Sequence, residues 1–239
     1  MTVSVRRLIV NADDFGLSSG VNRGVIEAFE QGIVTSSSLM VRWPAAVEAA
    51  AYCRAHPALS VGLHLDFAEW IVRTRGWEPL YEVVDETDPQ ALEDEVKRQL
   101  QEFRRLVGRE PTHLDSHQHA HFEEPARGIL LRHARELGIP VRQFGSVGYR
   151  GDFYGQGPDG ALYPELIEVA HLVDLIAHLP EGTTELGCHP GFPDGFESSY
   201  VEERAIEVRT LCDPRVREAI GANHIDLISF ASLSAPAVT

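Results

Sequence analysis

VRRLIVNADDFG (residues 5–16) combines a short apolar run, two adjacent carboxylates and a closing glycine. A short apolar run that ends in polar, turn-forming residues is typical of a buried strand, and we predict one over residues 5–11. Asp13 and Asp14 then follow the C-terminal end of that strand. Two adjacent carboxylates repel each other and are costly to bury without a cation or hydrogen-bond donors. The alternative is that one carboxylate caps the next turn while the other faces solvent.

The rest of the sequence repeats this alternation of apolar runs and amphipathic segments. Further strands are predicted over residues 34–41, 59–65, 112–117, 141–144, 184–189 and 225–230. Helices are predicted over about 19–31, 44–56, 88–107, 125–137, 164–178 and 197–219. Residues 66–88 and 145–160 lack a period and are predicted to be long loops, which in compact domains are usually functional. Seven strands that alternate with helices indicate a parallel sheet.

Polar residues at the ends of the strands decide between an open sheet and a barrel. They are Asp13, Asp14, His64, His117 and His189. In a parallel β/α barrel the C-terminal ends of all strands form one face, where catalytic groups collect. An open sheet would set the first and sixth strands far apart. We therefore predict an α/β fold, with residues 1–239 forming a single β/α barrel-like domain of about seven parallel strands and a site at their C-terminal ends.

Composition limits the partners that this chain can have. The 239 residues include 36 acidic and 21 basic side chains, a net charge of −15 with histidine neutral. Such a charge repels phosphate backbones and anionic lipids, so we expect neither nucleic acid nor membrane as a partner. No signal peptide is visible, and the three separated cysteines lack CxxC spacing, which suits a reducing compartment. We expect a cytoplasmic protein, and the sequence allows a homo-oligomer.

The segment THLDSHQHAH (residues 112–121) places four histidines and an aspartate close together. Because side chains alternate along a strand, His113, Asp115 and His117 would share one face. A solvated loop would explain His119 and His121, but it would not explain the strand-end position of His117. His64 alone would more often be a hydrogen-bonded core residue. Two histidines and a carboxylate from separate strands form an open shell for a divalent cation, with positions left for water and substrate.

Four segments together carry a family resemblance. They are LIVNADDFGLSSGVNRGVIEAFEQGIVTSSSLMV (8–41), VGLHL (61–65), PTHLDSHQHAH (111–121) and CHPGF (188–192). In this order they resemble the YdjC-like carbohydrate deacetylases, a group that includes chitooligosaccharide and hopanoid-associated deacetylases. The resemblance implies a β/α barrel with one divalent metal ion, Mg or Zn. It also implies hydrolysis of the N-acetyl group of an amino sugar or short N-acetylated oligosaccharide, with release of acetate.

The same resemblance implies roles for individual residues. Asp14, His64 and His117 match the metal ligands of the family. By similarity to the wider polysaccharide deacetylases, Asp13 would be the general base and His189 the general acid. The roles of the remaining acidic and histidine side chains between residues 113 and 121 stay open.

Other candidates come from the residues themselves. Arg142, at the end of the fifth predicted strand, could orient Asp13, and a surface salt bridge is the alternative. Trp70, Trp77 and Tyr81 offer flat apolar surfaces to sugar rings, or else they anchor the loop in the core.

Rival functions differ in what they require. A metal-independent glycosidase would use the paired carboxylates directly on an anomeric carbon. A non-catalytic sugar- or metal-binding module would keep the aromatic residues and would tolerate loss of His189. A metal-dependent phosphoesterase is disfavoured by the negative charge and by the absence of a basic cluster near the motifs.

Overall fold

A computed structural model describes residues 5–74 and 76–233. Its strands and helices are β1 (Arg6–Phe15), α1 (Ser19–Glu30), β2 (Ser36–Leu39), α2 (Ala46–Ala55), β3 (Ser60–Leu65), β4 (Ala68–Arg73), β5 (Gly76–Glu82), α3 (Pro89–Val107), β6 (Leu114–Ser116), α4 (Ala126–Leu137), β7 (Val147–Arg150), α5 (Val169–Ala177), β8 (Gly182–Cys188), α6 (Glu202–Leu211), α7 (Pro214–Ala222) and β9 (Ile225–Ile228). Short 3-10 turns cover His117–Phe122, Pro164–Ile167 and Phe230–Ser232.

Seven of the strands form one sheet with β1 at its centre. The order is β6-β3-β2-β1-β8-β7, with β9 also paired to β1, and every pair in this sheet is parallel. β8 lies along one edge of β1. The other edge of β1 pairs with β9 through residues 6–9 of β1 and with β2 through residues 11–15 of β1. The predicted α/β fold with about seven parallel strands is confirmed.

The sheet curls so that distant strands meet across its interior. β6 and β8 stand four positions apart in the sheet order. Both nevertheless contact the Arg142 side chain, through Asp115 at 2.9 Å and Glu185 at 2.7 Å. Among the described residues, the end strands β6 and β7 do not pair with each other. The predicted barrel-like form is therefore present as a half-barrel.

Apolar side chains pack between the sheet and the surrounding helices, whereas the inside of the curl is polar. The long helix α3 begins at Asp88, whose carboxylate caps it, and ends at the left-handed Gly108. It buries one apolar face, which includes Leu92, Val96 and Phe103. Across residues 5–74 and 76–233, no helix is both long and apolar enough to cross a membrane.

The segment predicted as a loop over residues 66–88 is instead an antiparallel hairpin formed by β4 and β5. Its strands lie outside the main sheet. Alternation of apolar and polar residues, which normally marks a strand, is weak here because β4 turns the carboxylate of Glu69 inward and leaves Trp70 38% exposed. The prediction of an irregular excursion was therefore wrong.

The fifth sheet strand lies later in the chain than predicted. Residues 141–144 make only isolated bridges, from Val141 to Leu114 and to Phe144. Gln143 has φ of 62°, which interrupts an extended backbone. The strand that pairs with β8 is β7, inside the predicted loop 145–160. β7 has the sequence Val-Gly-Tyr-Arg, which contains no continuous apolar run, so the pattern pointed to a loop.

Candidate functional site

The neighbouring carboxylates Asp13 and Asp14 both line one cavity of about 590 Å³ at the C-terminal ends of the strands. They lie within β1 rather than after it. The pairing of β1 with β2 loses its register between Ala12 and Phe15, and Asp14 has a left-handed φ of 64°. Consecutive residues of a regular strand point to opposite faces, so this irregular backbone is what brings both carboxylates to one side. Backbone strain of this kind clusters at functional sites.

His64 and His117 converge on Asp14. The Oδ1 atom of Asp14 lies 3.3 Å from Nε2 of His64 and 3.1 Å from Nδ1 of His117. Ligand atoms bound at about 2.1 Å to one cation lie about 3.0–3.4 Å apart. The three predicted ligands therefore have the spacing of a cation site, although β1, β3 and the turn after β6 supply them separately.

The hydrogen bonds of the two imidazole rings also fit a cation site. His64 Nδ1 lies 2.8 Å from Asp115 Oδ1, and His117 Nε2 is hydrogen-bonded to Glu69 Oε2. A neutral imidazole has one N–H. When each histidine donates it to the carboxylate behind, two nitrogen lone pairs and one carboxylate oxygen face the same point. The donor set fits a divalent cation, and the backing carboxylates match the usual support of metal-bound histidines.

Charged neighbours also set the protonation of these groups. Burial alone would lower the pKa of His64, but Asp115 and Asp14 raise it to about 9, so without a cation the ring is protonated at pH 7 and a bound cation would displace the Nε2 proton. Burial likewise opposes ionisation of Asp14, yet Arg204 and His117 hold the pKa of that carboxyl well below its usual range. Asp14 is therefore an anion, as a carboxylate that binds a metal must be.

Arg142 holds Asp13 with a two-pronged contact. Its Nη1 and Nη2 atoms donate to Asp13 Oδ2 and Oδ1 at 2.6 and 2.7 Å. Arg142 is only 1% exposed and also pairs with Asp115 and Glu185. The alternative of a surface salt bridge for Arg142 was wrong. Burial would raise the pKa of Asp13, but Arg142 more than offsets it and keeps Asp13 ionised.

His189 lies on the other side of Asp13, with its Nε2 atom 3.7 Å from Asp13 Oδ2. Its backbone N–H donates to Glu207, and Nδ1 of its ring is 4.0 Å from the same carboxyl. Tyr200 donates its hydroxyl to the other oxygen of Glu207. Burial lowers the pKa of His189 to about 4, so its imidazole is neutral at pH 7.

Several residues of the site could not be found from sequence spacing. Arg204 on α6 donates to Asp14 Oδ2 at 2.6 Å, and Glu207 lies one helical turn further on. Both are buried, and the (i, i+3) spacing puts them on one face of the helix. What distinguishes Arg204 and Glu207 from other charged helix residues is that they are buried. The sequence does not show burial, so it gave no local signal for either residue.

The aromatic candidates separate into two groups. Trp70 and Trp77 line the cavity and remain 38% and 41% exposed at its rim. Tyr81 is not among the described residues that line it. Its hydroxyl donates to the buried Asp66 at 2.9 Å, and its ring packs edge-on against Trp43. The prediction that Tyr81 contacts substrate is corrected to the anchoring alternative.

The remaining histidines and the aspartate of residues 113–121 also separate into residues that line the cavity and residues that pack behind it. Asp115 supports His64, as described above. His113 stacks on Phe230 behind the site, and burial lowers its pKa to about 4. His121 is hydrogen-bonded to Ser116, whereas His119 lines the cavity.

Comparisons with known proteins identify the family of this chain. The profile of the family described as YdjC-like protein matches residues 7–222. Chitooligosaccharide deacetylase of Serratia marcescens is 34% identical over 249 residues, which cover 95% of this chain and 98% of that protein.

Solved structures share the fold. One from Enterococcus faecalis V583, described as a candidate cellobiose-phosphate cleavage protein, has a TM-score of 0.76 at 28% identity and covers 97% of this chain and 100% of its own. A family 4 carbohydrate esterase from Streptomyces lividans, solved with acetate, has a TM-score of 0.56 at 12% identity, with 95% of each chain covered. Since the family profile spans nearly the whole sequence, the chain belongs to the YdjC-like protein family.

Proposed function

We propose that this protein is a metal-dependent carbohydrate deacetylase that removes the N-acetyl group from an amino sugar or short N-acetylated oligosaccharide and releases acetate. The observation that carries the proposal is the convergence of Asp14, His64 and His117 beside the Arg142-held Asp13 in one cavity. The names of relatives, among them a chitooligosaccharide deacetylase, support it. We further propose a cytoplasmic, single-domain enzyme whose partner is the small-molecule sugar.

Asp14, His64 and His117 would hold the cation. A divalent cation in this position supplies Lewis-acid chemistry: it polarises the acetyl carbonyl and lowers the pKa of a neighbouring water towards about 7. Of the two metals expected from the sequence, Zn suits a donor set with two imidazole nitrogens better than Mg, which prefers oxygen ligands.

Asp13 is the proposed general base. It accepts a proton from the water as the water oxygen bonds to the acetyl carbon. Arg142 fixes the direction of both carboxylate oxygens and keeps them ionised. Oδ1 also accepts a hydrogen bond from Asn11 Nδ2 at 2.8 Å, so Oδ2 is the oxygen that retains a lone pair for the water. Arg142 is therefore a positioning residue for Asp13.

His189 is the proposed general acid. Because its imidazole is neutral at pH 7, the proton that it delivers has to reach it during turnover. Asp13 Oδ2 lies 3.7 Å from Nε2, so the proton passes from that carboxyl to Nε2 through one water or after the two groups close to hydrogen-bond distance. Nε2 then protonates the departing nitrogen as the C–N bond breaks, so that one water is consumed and an amine and acetate are formed. Glu207 holds the backbone of His189 through the His189 N–H, and its carboxyl lies 4.0 Å from Nδ1 of the ring.

The glycosidase alternative needs a protonated carboxylic acid to donate to the leaving oxygen. Asp13 and Asp14 each pair with a buried arginine, and both have a lowered pKa. Neither carboxyl is therefore suited to be that acid.

Acetate release from N-acetylglucosamine and its β-1,4-linked dimer and trimer tests the proposed function directly. We expect acetate from at least one of them, loss of activity in chelator, and recovery when Zn²⁺ is restored. Release of reducing sugar without acetate, unaffected by chelator, would establish a glycosidase. Binding of the sugars without any product would establish a non-catalytic module.

Trp70→Ala and Trp77→Ala are expected to raise KM more than they lower kcat. Both indoles line the cavity and are partly exposed, and stacking on a sugar ring would contribute equally to the ground and transition states. Steady-state kinetics of each variant checks this. Kinetics identical to those of the parent in both variants would leave the two residues a purely structural role.

A further inference from the structure

We infer that the β4–β5 hairpin completes the cation site, because its Glu69 is the positioning residue that orients His117. This inference rests on the proposed function and concerns a part of the chain outside the barrel sheet. It assigns to the hairpin a task besides covering the cavity.

The hairpin is joined to the turn that carries His117. The side-chain amide of Gln118 accepts a hydrogen bond from the backbone N–H of Trp70 at 2.9 Å and donates one to the backbone C=O of Trp70 at 2.8 Å. This reciprocal pair imitates the exchange between two strands. Glu69 and His117, the residues directly before these two, meet in the same way through their side chains.

The backbone after His117 is bent to make this meeting possible. Gln118 and His119 have φ of 48° and 57°, so two consecutive non-glycine residues are left-handed. Such conformations are strained and persist only where the surroundings enforce them. In an extended continuation of β6, His117 and Gln118 would point to opposite faces. The left-handed turn lets both side chains contact the hairpin.

Glu69 has few other partners to account for its burial. It is 7% exposed, and its described hydrogen bonds are to His117 Nε2 and, at 3.4 Å, to Ser198 Oγ. Among residues 5–74 and 76–233, no arginine or lysine pairs with it. A buried carboxylate without a cationic partner is costly. The hydrogen bond with His117 is therefore the contact that explains why the Glu69 carboxylate is buried here.

This contact fixes which nitrogen of His117 is free. Donation of the Nε2 proton to Glu69 leaves the Nδ1 lone pair directed at Asp14, where the cation would lie. Asp115 does the same for His64 from inside the barrel. The carboxylate that supports His64 thus lies on the sheet, and the carboxylate that supports His117 lies on the hairpin.

The test compares metal binding in Glu69→Gln and Glu78→Gln. Glu78 lies on β5 of the same hairpin with a side chain that is 43% exposed, so it is a matched control. Metal-stripped proteins are titrated with Zn²⁺ against a competing chelator, and Co²⁺-loaded proteins are compared by absorption spectrum. We expect E69Q to bind Zn²⁺ about 10- to 100-fold more weakly, with an altered Co²⁺ spectrum, because loss of an outer carboxylate has this effect on metal sites. E78Q should match the parent in both.

Gln118→Ala provides a second variant that leaves every ligand and Glu69 unchanged. It removes the clamp on Trp70, so the Zn²⁺ affinity should fall here too, and melting of the metal-stripped proteins shows whether each variant is folded. Parent-like Zn²⁺ affinity and Co²⁺ spectra in folded E69Q would overturn the inference, even if KM rises, since Glu69 would then act on sugar alone. If E69Q does not fold, parent-like affinity in Q118A overturns it. A parent protein without Zn²⁺ affinity would overturn the proposed function as well.

Discussion

Asp13→Asn is expected to lower kcat by about 10²- to 10⁴-fold while the protein keeps its metal, because the variant loses the proton acceptor and one of the carboxylates facing Arg142 but none of the three proposed ligands. Asp13 is close to His64 and Asp115 and could be mistaken for a ligand. The Arg142 guanidinium already pairs with both carboxylates, however, which leaves a cation no favourable place between them. The amide of asparagine has the shape of the carboxylate but does not take up the proton of the water.

His189→Ala should behave in the same way, since this histidine touches the base and none of the three ligands. Acetate-release kinetics beside metal analysis checks both variants. Asp226→Asn, an exposed aspartate on β9 at the opposite end of the sheet, is the matched control and should match the parent. Full activity in both Asp13→Asn and His189→Ala would show that the chemistry takes place elsewhere.

Asp14→Asn is expected to lose metal affinity and activity together. The substitution replaces an anionic oxygen by a neutral amide at the point where His64 and His117 converge, and divalent cations bind the amide far more weakly. It also removes the charge that faces the buried Arg204. Breaking a buried ion pair of this kind costs about 3–5 kcal/mol, so a lower melting temperature should accompany the loss of metal.

His64→Ala separates these two effects. It removes a ligand but leaves the pair between Asp14 and Arg204 intact, and Asp115 keeps its contact with Arg142. We expect it to lose metal with a smaller change in the melting temperature than Asp14→Asn. If Asp13→Asn lost its metal while Asp14→Asn retained it, the two aspartates would have exchanged roles.

The sequence predicted the centre of the site better than its surroundings. Asp14, His64 and His117 could be grouped because each lies where a parallel strand ends, and such ends meet at one face whatever their distance along the chain. Glu69, Arg204 and Glu207 could not be grouped in this way. They reach the site from a hairpin and a helix whose placement is set by tertiary packing rather than by local periodicity.

In the fold, too, the sequence predicted the elements with a strong local pattern and missed those that depend on tertiary packing. Strands with apolar runs, such as β1 and β3, were located to within a few residues, although the extension of β1 through Asp14 depends on a bulge that no pattern marks. β7 was missed because an edge strand buries little and needs few apolar residues. Arg142 was placed near Asp13, but its burial follows from the curl of the sheet.

The single guanidinium of Arg142 that joins Asp13, Asp115 and Glu185 restricts how this site can change during evolution. Replacing Arg142 leaves three buried carboxylates without their shared cation, and lysine cannot substitute because its compact ammonium lacks the planar fork that contacts three carboxylates. A lineage that lost Arg142 would have to change its carboxylate partners as well, since three buried carboxylates without a cation would be unstable. The four residues should therefore be inherited as a set among descendants of this protein, even where the surrounding loops diverge.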